Sequence, residues 1–309
     1  MRNRIKPPRL AAGDTIGITA PASQGDRSRI EQAAGYLMRM GLNVRFGATL
    51  SGQYGYLAGK DEERAVELNA MFADPGIRAI VCARGGYGSA RIADMLDYDG
   101  IRNNPKIFWG YSDITFLHTA IGNRSGLVTF HGPMLTCLAE ESVHPLTLQG
   151  FEQLFHPKPV VYTENISPLV ALVEGAAYGP LVGGNLTLLA STLGTPYELD
   201  TRGRILFIEE IDEEPYRVDR MLNQLRQAGK LADASGILVC DFHNCEPNKY
   251  KNSLTLEQVI RHHLVQAGRP ALAGFKIGHC SPNIAVPLGI EARMNTAQKK
   301  LELIEPAVE

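Results

Sequence analysis

Four polar clusters in this 309-residue sequence stand where apolar runs end: "RGGYGSAR" (84 to 91), "GYSD" (110 to 113), "EEIDEE" (209 to 214) and "GHCSPN" (278 to 283). Between them they supply a serine, acidic residues, a histidine and a glycine loop, the parts that nucleophilic hydrolysis needs. Ser112 lies in "KIFWGYSDIT", between an apolar run and a helix-period segment. A serine on such a turn can be lifted clear of a sheet, and the N–H of the next residue, Asp113, can point at the oxyanion formed by its attack. The nucleophile-elbow pattern G-x-S-x-G is incomplete, because Ile114 stands at its last glycine. A Ser-Asp pair ahead of "ITFLHTAI" also reads as a helix cap, so both readings stand.

A serine nucleophile needs a base, and histidine supplies one near neutral pH. Of the eight histidines, His118 and His131 fall in expected regular elements, His144 and His156 lie beside prolines, and His262 and His263 fall within a helix. His279 differs in following the apolar "ALAGFKIG" and preceding a Pro-Asn loop, where a strand end would present an imidazole. His243 is its rival, because "CDFHNCE" brings Cys240, His243 and Cys245 close enough in sequence to raise a metal site. A four-ligand zinc centre needs a second ligand pair, which the sequence lacks. The acid that orients the base has two candidates at the end of "ILFIEE", Glu209 and Glu210, which period-2 alternation sends to opposite faces of a strand. Spacing alone does not choose between them. Asp212, Glu213 and Glu214 read as the acidic lead-in to a helix that starts at Pro215. The glycine loop carries neither G-x-x-x-x-G-K-[ST] nor G-x-G-x-x-G, which argues against a nucleotide. Gly85, Gly86 and Gly88 serve either a tight turn or an oxyanion hole.

The elements that must hold these residues follow from the apolar patterning. Up to about residue 150, short β-type runs ("DTIGITAPA", "NVRFGA", "IRAIVCA", "KIFWG", "LVTFHGP") alternate with helix-period segments, among them "GSARIADML", as in a parallel sheet covered on both faces. The Pro- and Gly-rich "HPKPVVYTENISPLVALVEGAAYGPLVGG" then breaks the rhythm. The expected organisation is an N-terminal α/β domain over 1–155, a linker over 156–175 and a smaller mixed α/β domain over 176–309. A site built from all four clusters would draw on both domains.

A formal net charge of -2 offers no electrostatic ground for a nucleic-acid or anionic-membrane partner. Five scattered cysteines fit a reducing compartment better than a disulfide scaffold. No apolar stretch is long enough for a signal peptide or a membrane span, so the expected setting is cytoplasmic.

Taken in order, "RGGYG", "GYSD", "ILFIEEIDEEPYRVDRML" and "GHCSPN", with "ITAPAS", "TFHGPM", "GPLVGGNLTLL" and "VPLGIEA" around them, resemble the serine L,D-carboxypeptidases. That family includes murein tetrapeptide carboxypeptidases and microcin C immunity peptidases. The resemblance covers nearly the whole chain. It implies an N-terminal domain related to class I glutamine amidotransferases and a Ser-Glu-His triad: Ser112 of "GYSD", Glu209 as the first glutamate of "FIEE", and His279 of "GHC". It implies oxyanion donors at the N–H groups of Asp113 and Gly86, with no metal and no cofactor. With Glu209 as the orienting acid, Glu210→Gln should cost little turnover. The implied substrate is a muropeptide tetrapeptide, cut between an L-centre (meso-diaminopimelate or Lys) and a terminal D-Ala during peptidoglycan recycling. Arg84, Arg91 and Arg217 are candidates for its free carboxylate, because a guanidinium fork matches a carboxylate. The implied assembly is a homodimer. A nucleotide-conjugate peptidase of the immunity type is the alternative; against it, "FHNCEPNKYKNS" offers no aromatic platform apart from Tyr250. A non-catalytic binding module on the same scaffold is a second alternative.

Overall fold

The computed structural model describes residues 4–139, 142–248 and 252–309, so that Tyr250 lies outside the described residues. The chain divides into two compact units. The first comprises Met1–Lys158, Ile284–Pro287 and Ala307–Glu309; the second comprises Pro159–Asn283 and Leu288–Pro306.

In the first unit the strands β1 (Thr15–Thr19), β2 (Asn43–Phe46), β3 (Ala79–Cys82), β4 (Ile107–Gly110) and β5 (Thr129–His131) pair in parallel in the order β5-β4-β3-β1-β2, and Val286–Leu288 is added beside β5. Every residue of β3 ("AIVC") and β4 ("IFWG") is buried, the unbroken apolar run expected of a parallel strand covered on both faces. Trp109 of β4 shows how a buried side chain meets a polar demand. Its ring stacks on Phe151 at 4.4 Å, while its indole N–H donates to the Pro133 carbonyl at 2.8 Å. "GSARIADML" forms a 3-10 helix, Ser89–Met95, where the apolar spacing predicts an α-helix. Hydrogen bonds from the Ser89 N–H and hydroxyl to Asp113, in the segment that follows β4, hold its first turn.

The second unit contains β6 (Val160–Tyr162), β7 (Val170–Val173), β8 (Ala176–Asn185), β9 (Ile205–Ile211), β10 (Gly236–His243) and β11 (Ala271–Ala273). Strands β8 to β11 run parallel. Antiparallel strands flank them: β7 beside β11, and Glu291–Asn295, Lys300–Leu303 and β6 in turn beside β8. The stretch read as a linker over 156–175 therefore holds both edge strands of this sheet. The ten-residue β8 was hidden from pattern reading because Gly179, Gly183 and Gly184 interrupt its apolar alternation. Packing requires at least one of them: Gly183 has φ +138°, and a Cβ there would lie 2.0 Å from the Phe207 carbonyl oxygen of the neighbouring β9.

Candidate active site

Ser112 stands at the carboxyl end of β4, where open parallel sheets place their sites. Tyr111 is fully extended, Ser112 turns into the left-handed region at φ 62°, and a 3-10 turn, Ser112–Ile114, leads into the helix Thr115–Arg124. A left-handed conformation in a residue with a Cβ is a local cost of the kind that gathers at functional turns. The N-cap positions of the two helical segments belong to Tyr111 and Ile114, so Ser112 caps neither. The glycine loop passes directly beside it. A Cβ on Gly85 would lie 3.1 Å from Ser112 Cβ, 3.2 Å from its Oγ and 3.3 Å from the Asp113 nitrogen.

Gly86 has φ +95°, and no hydrogen bond engages its N–H among the described residues. Ser23 holds the loop on one side: its N–H donates to the Gly85 carbonyl at 3.1 Å and its Oγ accepts from the Tyr87 N–H at 3.1 Å. Asp113 holds it on the other. The Ser89 N–H donates to Asp113 Oδ2 at 2.8 Å, and Ser89 Oγ donates to the Asp113 carbonyl at 2.6 Å. Burial raises the Asp113 carboxyl above its ordinary value, against the pull of the Ser89 donors and the Arg64 charge.

The second unit places the acid and the histidine. β9 is buried from Ile205 through Glu210, and Glu209 is fully buried. Its Oε2 meets His279 Nδ1 at 2.7 Å, and its Oε1 has no hydrogen-bond partner among the described residues. A carboxylate accepts, so the shared proton belongs to Nδ1 and the lone pair of the neutral imidazole lies on Nε2. Burial pulls the His279 imidazolium toward deprotonation, but the hydrogen bond and charge of Glu209, with the charges of Glu210 and Asp212, together outweigh it, and the net shift is upward. Gly278 makes the approach possible, since a Cβ there would sit 2.5 Å from Glu209 Oε2.

Glu210 is engaged more heavily than the sequence suggests. Oε1 accepts from Asn185 Nδ2 (2.7 Å) and the Ile211 N–H (2.9 Å), while Oε2 accepts from the Thr187 N–H (2.8 Å) and hydroxyl (2.7 Å). This carboxylate pins the start of the helix Leu186–Ser191 to β9, so the effect expected of Glu210→Gln is on stability rather than on turnover. A Gln amide would turn an N–H2 toward a ring of donors. The variant should lose about 1 to 3 kcal/mol of stability, read as a lower urea midpoint at unchanged slope.

The three arginine candidates differ in what they have left to give. Arg91 is committed to Asp61 by bonds of 2.6, 2.9 and 3.0 Å. Arg217 is shared between Glu213 (3.2 Å) and the Tyr216 hydroxyl (3.0 Å). Arg84, next to the glycine loop, donates to the Gln24 carbonyl at 2.6 Å from an exposed position. Among the described residues no group of three His, Cys, Asp or Glu side chains is disposed to hold a metal ion. Cys240 is buried and its thiol is raised well above its ordinary value by burial, and burial likewise pushes the Cys245 thiol up to about 12. Such thiols stay protonated and are poor ligands. No helix among the described residues is long and apolar enough to cross a membrane. Of the other histidines, burial brings His118 down to about 4, and its Nε2–H donates to the Gly110 carbonyl at 2.9 Å, a structural role.

Residues 16–132 match the family model of the LD-carboxypeptidase N-terminal domain, and residues 178–294 match that of the LD-carboxypeptidase C-terminal domain. The chain is 60% identical to a probable murein peptide carboxypeptidase of Bacillus subtilis (strain 168), over 95% of this chain and 92% of that one. Among solved structures it is similar to the muramoyltetrapeptide carboxypeptidase from Oxalobacter formigenes, at 29% identity and a TM-score of 0.82, covering 93% of this chain and 97% of that one. It is also similar to MccF in complex with glutamyl sulfamoyl guanosine, at 27% identity and a TM-score of 0.89, covering 98% and 99%.

Proposed function

Because the chain belongs to the LD-carboxypeptidase family, we propose that it is a serine L,D-carboxypeptidase that removes the terminal D-Ala from muropeptide tetrapeptides, with Ser112, His279 and Glu209 as nucleophile, base and orienting acid. The observation that carries the mechanism is the 2.7 Å hydrogen bond between His279 Nδ1 and the fully buried Glu209. A buried carboxylate at that nitrogen fixes the tautomer with the lone pair on Nε2, the nitrogen that must accept the proton, and it stabilises the imidazolium that results. Ser112 Oγ attacks the carbonyl carbon of the L-centre as its proton passes to His279 Nε2. The oxyanion is received by the N–H groups of Gly86 and Asp113. Collapse breaks the C–N bond, His279 returns the proton to the leaving D-Ala nitrogen, and water then releases the shortened peptide from the acyl-enzyme through the same base. Arg84 is the proposed partner of the terminal carboxylate, since Arg91 is bound bidentately to Asp61. A homodimer and a cytoplasmic setting complete the reading.

Stereochemistry tests it. A site that holds the carboxylate and seats the D-Ala methyl meets, in an L-Ala terminus, either a methyl driven into its wall or a carboxylate drawn off its partner. Losing one charge-assisted hydrogen bond costs about 1.5 to 3 kcal/mol, so L-Ala and D-Ala-amide termini should lower kcat/KM by roughly tenfold to a few hundredfold. Equal rates on all three would overturn the carboxypeptidase reading. Turnover of an aminoacyl sulfamoyl nucleotide in its place would favour the activity suggested by the MccF likeness.

A further inference from the structure

Arg64 is an arginine with no exposure to solvent, set in the helix Asp61–Ala73. Its Nη2 is paired with Asp61, but the rest of its donors go to backbone carbonyls. Nη1 donates to Pro21 at 2.5 Å and to Gly88 at 2.8 Å, and Nε donates to Gly59 at 3.2 Å. Pro21 lies in the segment after β1, and Gly88 lies in the glycine loop after β3. The Gly88–Ser89 peptide is gripped at both ends by opposite charges. Its carbonyl oxygen faces the Arg64 guanidinium, and its N–H faces the buried Asp113 carboxylate at 2.8 Å. Glycine is needed there, because Gly88 has φ +121° and a Cβ would lie 2.4 Å from Leu57 Cδ2 and 3.2 Å from Arg64 Nη1. A buried guanidinium is costly unless its donors are satisfied, and here their satisfaction orders one loop.

We propose that Arg64 is a positioning residue for the reaction: acting through the Gly88–Ser89 peptide and Asp113, it fixes both proposed oxyanion donors, the N–H groups of Gly86 and Asp113, beside Ser112. This rests on the serine-carboxypeptidase reading. An oxyanion hole works by preorganisation, so loosening its support weakens transition-state binding more than ground-state binding. Lysine keeps the charge but replaces the planar fork with a single point of donation, and it does not reach three carbonyls in the same geometry.

The test compares wild type and Arg64→Lys, each verified as folded by circular dichroism well below its melting point. Two rates are read: tetrapeptide turnover, and phosphonylation of Ser112 by a fluorophosphonate, in which the serine oxygen displaces fluoride from phosphorus through an oxyanion-like transition state. Arg64→Lys should lower kcat and the phosphonylation rate together by roughly tenfold to a hundredfold, with KM within about threefold of wild type. Folded Arg64→Lys with both rates at the wild-type level, or with its loss in KM alone, would overturn the positioning role. Wild type that is not labelled at Ser112 would remove the serine reading itself, and this inference with it. Labelling without tetrapeptide turnover would revise the substrate while leaving the labelling comparison decisive for Arg64. If Arg64→Lys does not fold, Asp61→Asn decides, because it leaves the guanidinium in place without its charge anchor. A fall of roughly threefold to tenfold in the labelling rate supports the proposal, and a wild-type rate in folded Asp61→Asn overturns it.

Discussion

Ser112→Ala is expected to lower kcat for a D-Ala-terminated tetrapeptide by about four orders of magnitude or more while leaving the protein folded. The size of the loss follows from the role: without the hydroxyl no acyl-enzyme forms, and what remains is the rate that binding and the oxyanion donors give to water. The fold should survive because alanine, like serine, carries a Cβ, so the left-handed backbone at φ 62° costs the two residues alike. Steady-state kinetics with a urea titration of the same preparation checks both halves. A folded variant retaining a tenth of wild-type turnover would assign the nucleophile elsewhere.

Glu209→Gln should produce the second largest effect, about a hundredfold to ten-thousandfold in kcat, together with a change in pH dependence that a structural lesion would not produce. In wild type the net shift of His279 is upward, because Glu209, with smaller contributions from Glu210 and Asp212, outweighs burial. The neutral imidazole is the active form, so kcat/KM falls as the pH drops through that raised value, and the acid limb should have its midpoint above about 6.5, the ordinary histidine value. Replacing Glu209 by an amide removes the hydrogen bond to an anion and the charge but keeps the burial. The midpoint should therefore move down, so that the variant loses rate at every pH yet persists to lower pH relative to its own maximum. If the amide nitrogen turns toward Nδ1, it also selects the tautomer with the proton on Nε2, which cannot act as a base. Profiles of kcat/KM against pH for both proteins check this, and an unmoved midpoint would remove Glu209 as the partner of His279. Glu210→Gln is the control: a loss of stability without a displaced acid limb separates the two adjacent carboxylates.

Much of this protein was legible in the sequence, because the information was local. β3 and β4 are apolar runs of four, "AIVC" and "IFWG", and a chain with that pattern has few options besides a buried parallel strand. The turn after β4 placed Ser112 at a strand end, and the ordered motifs around it singled out Glu209 and His279 as candidates. What the tertiary structure decided is non-local. β8 was missed because its glycines are explained only by the carbonyls of β9 across from it, and β6 and β7 were missed because short edge strands carry little apolar signal of their own. Glu209 and Glu210 are identical in type and adjacent in sequence, and alternation does not choose between them, whereas their partners differ: one faces an imidazole, the other four donors at a helix start. Arg64 was invisible for the same reason. A buried arginine reads as a surface cation in an amphipathic helix until the carbonyls it satisfies, 5, 24 and 43 residues away along the chain, are brought to it by folding.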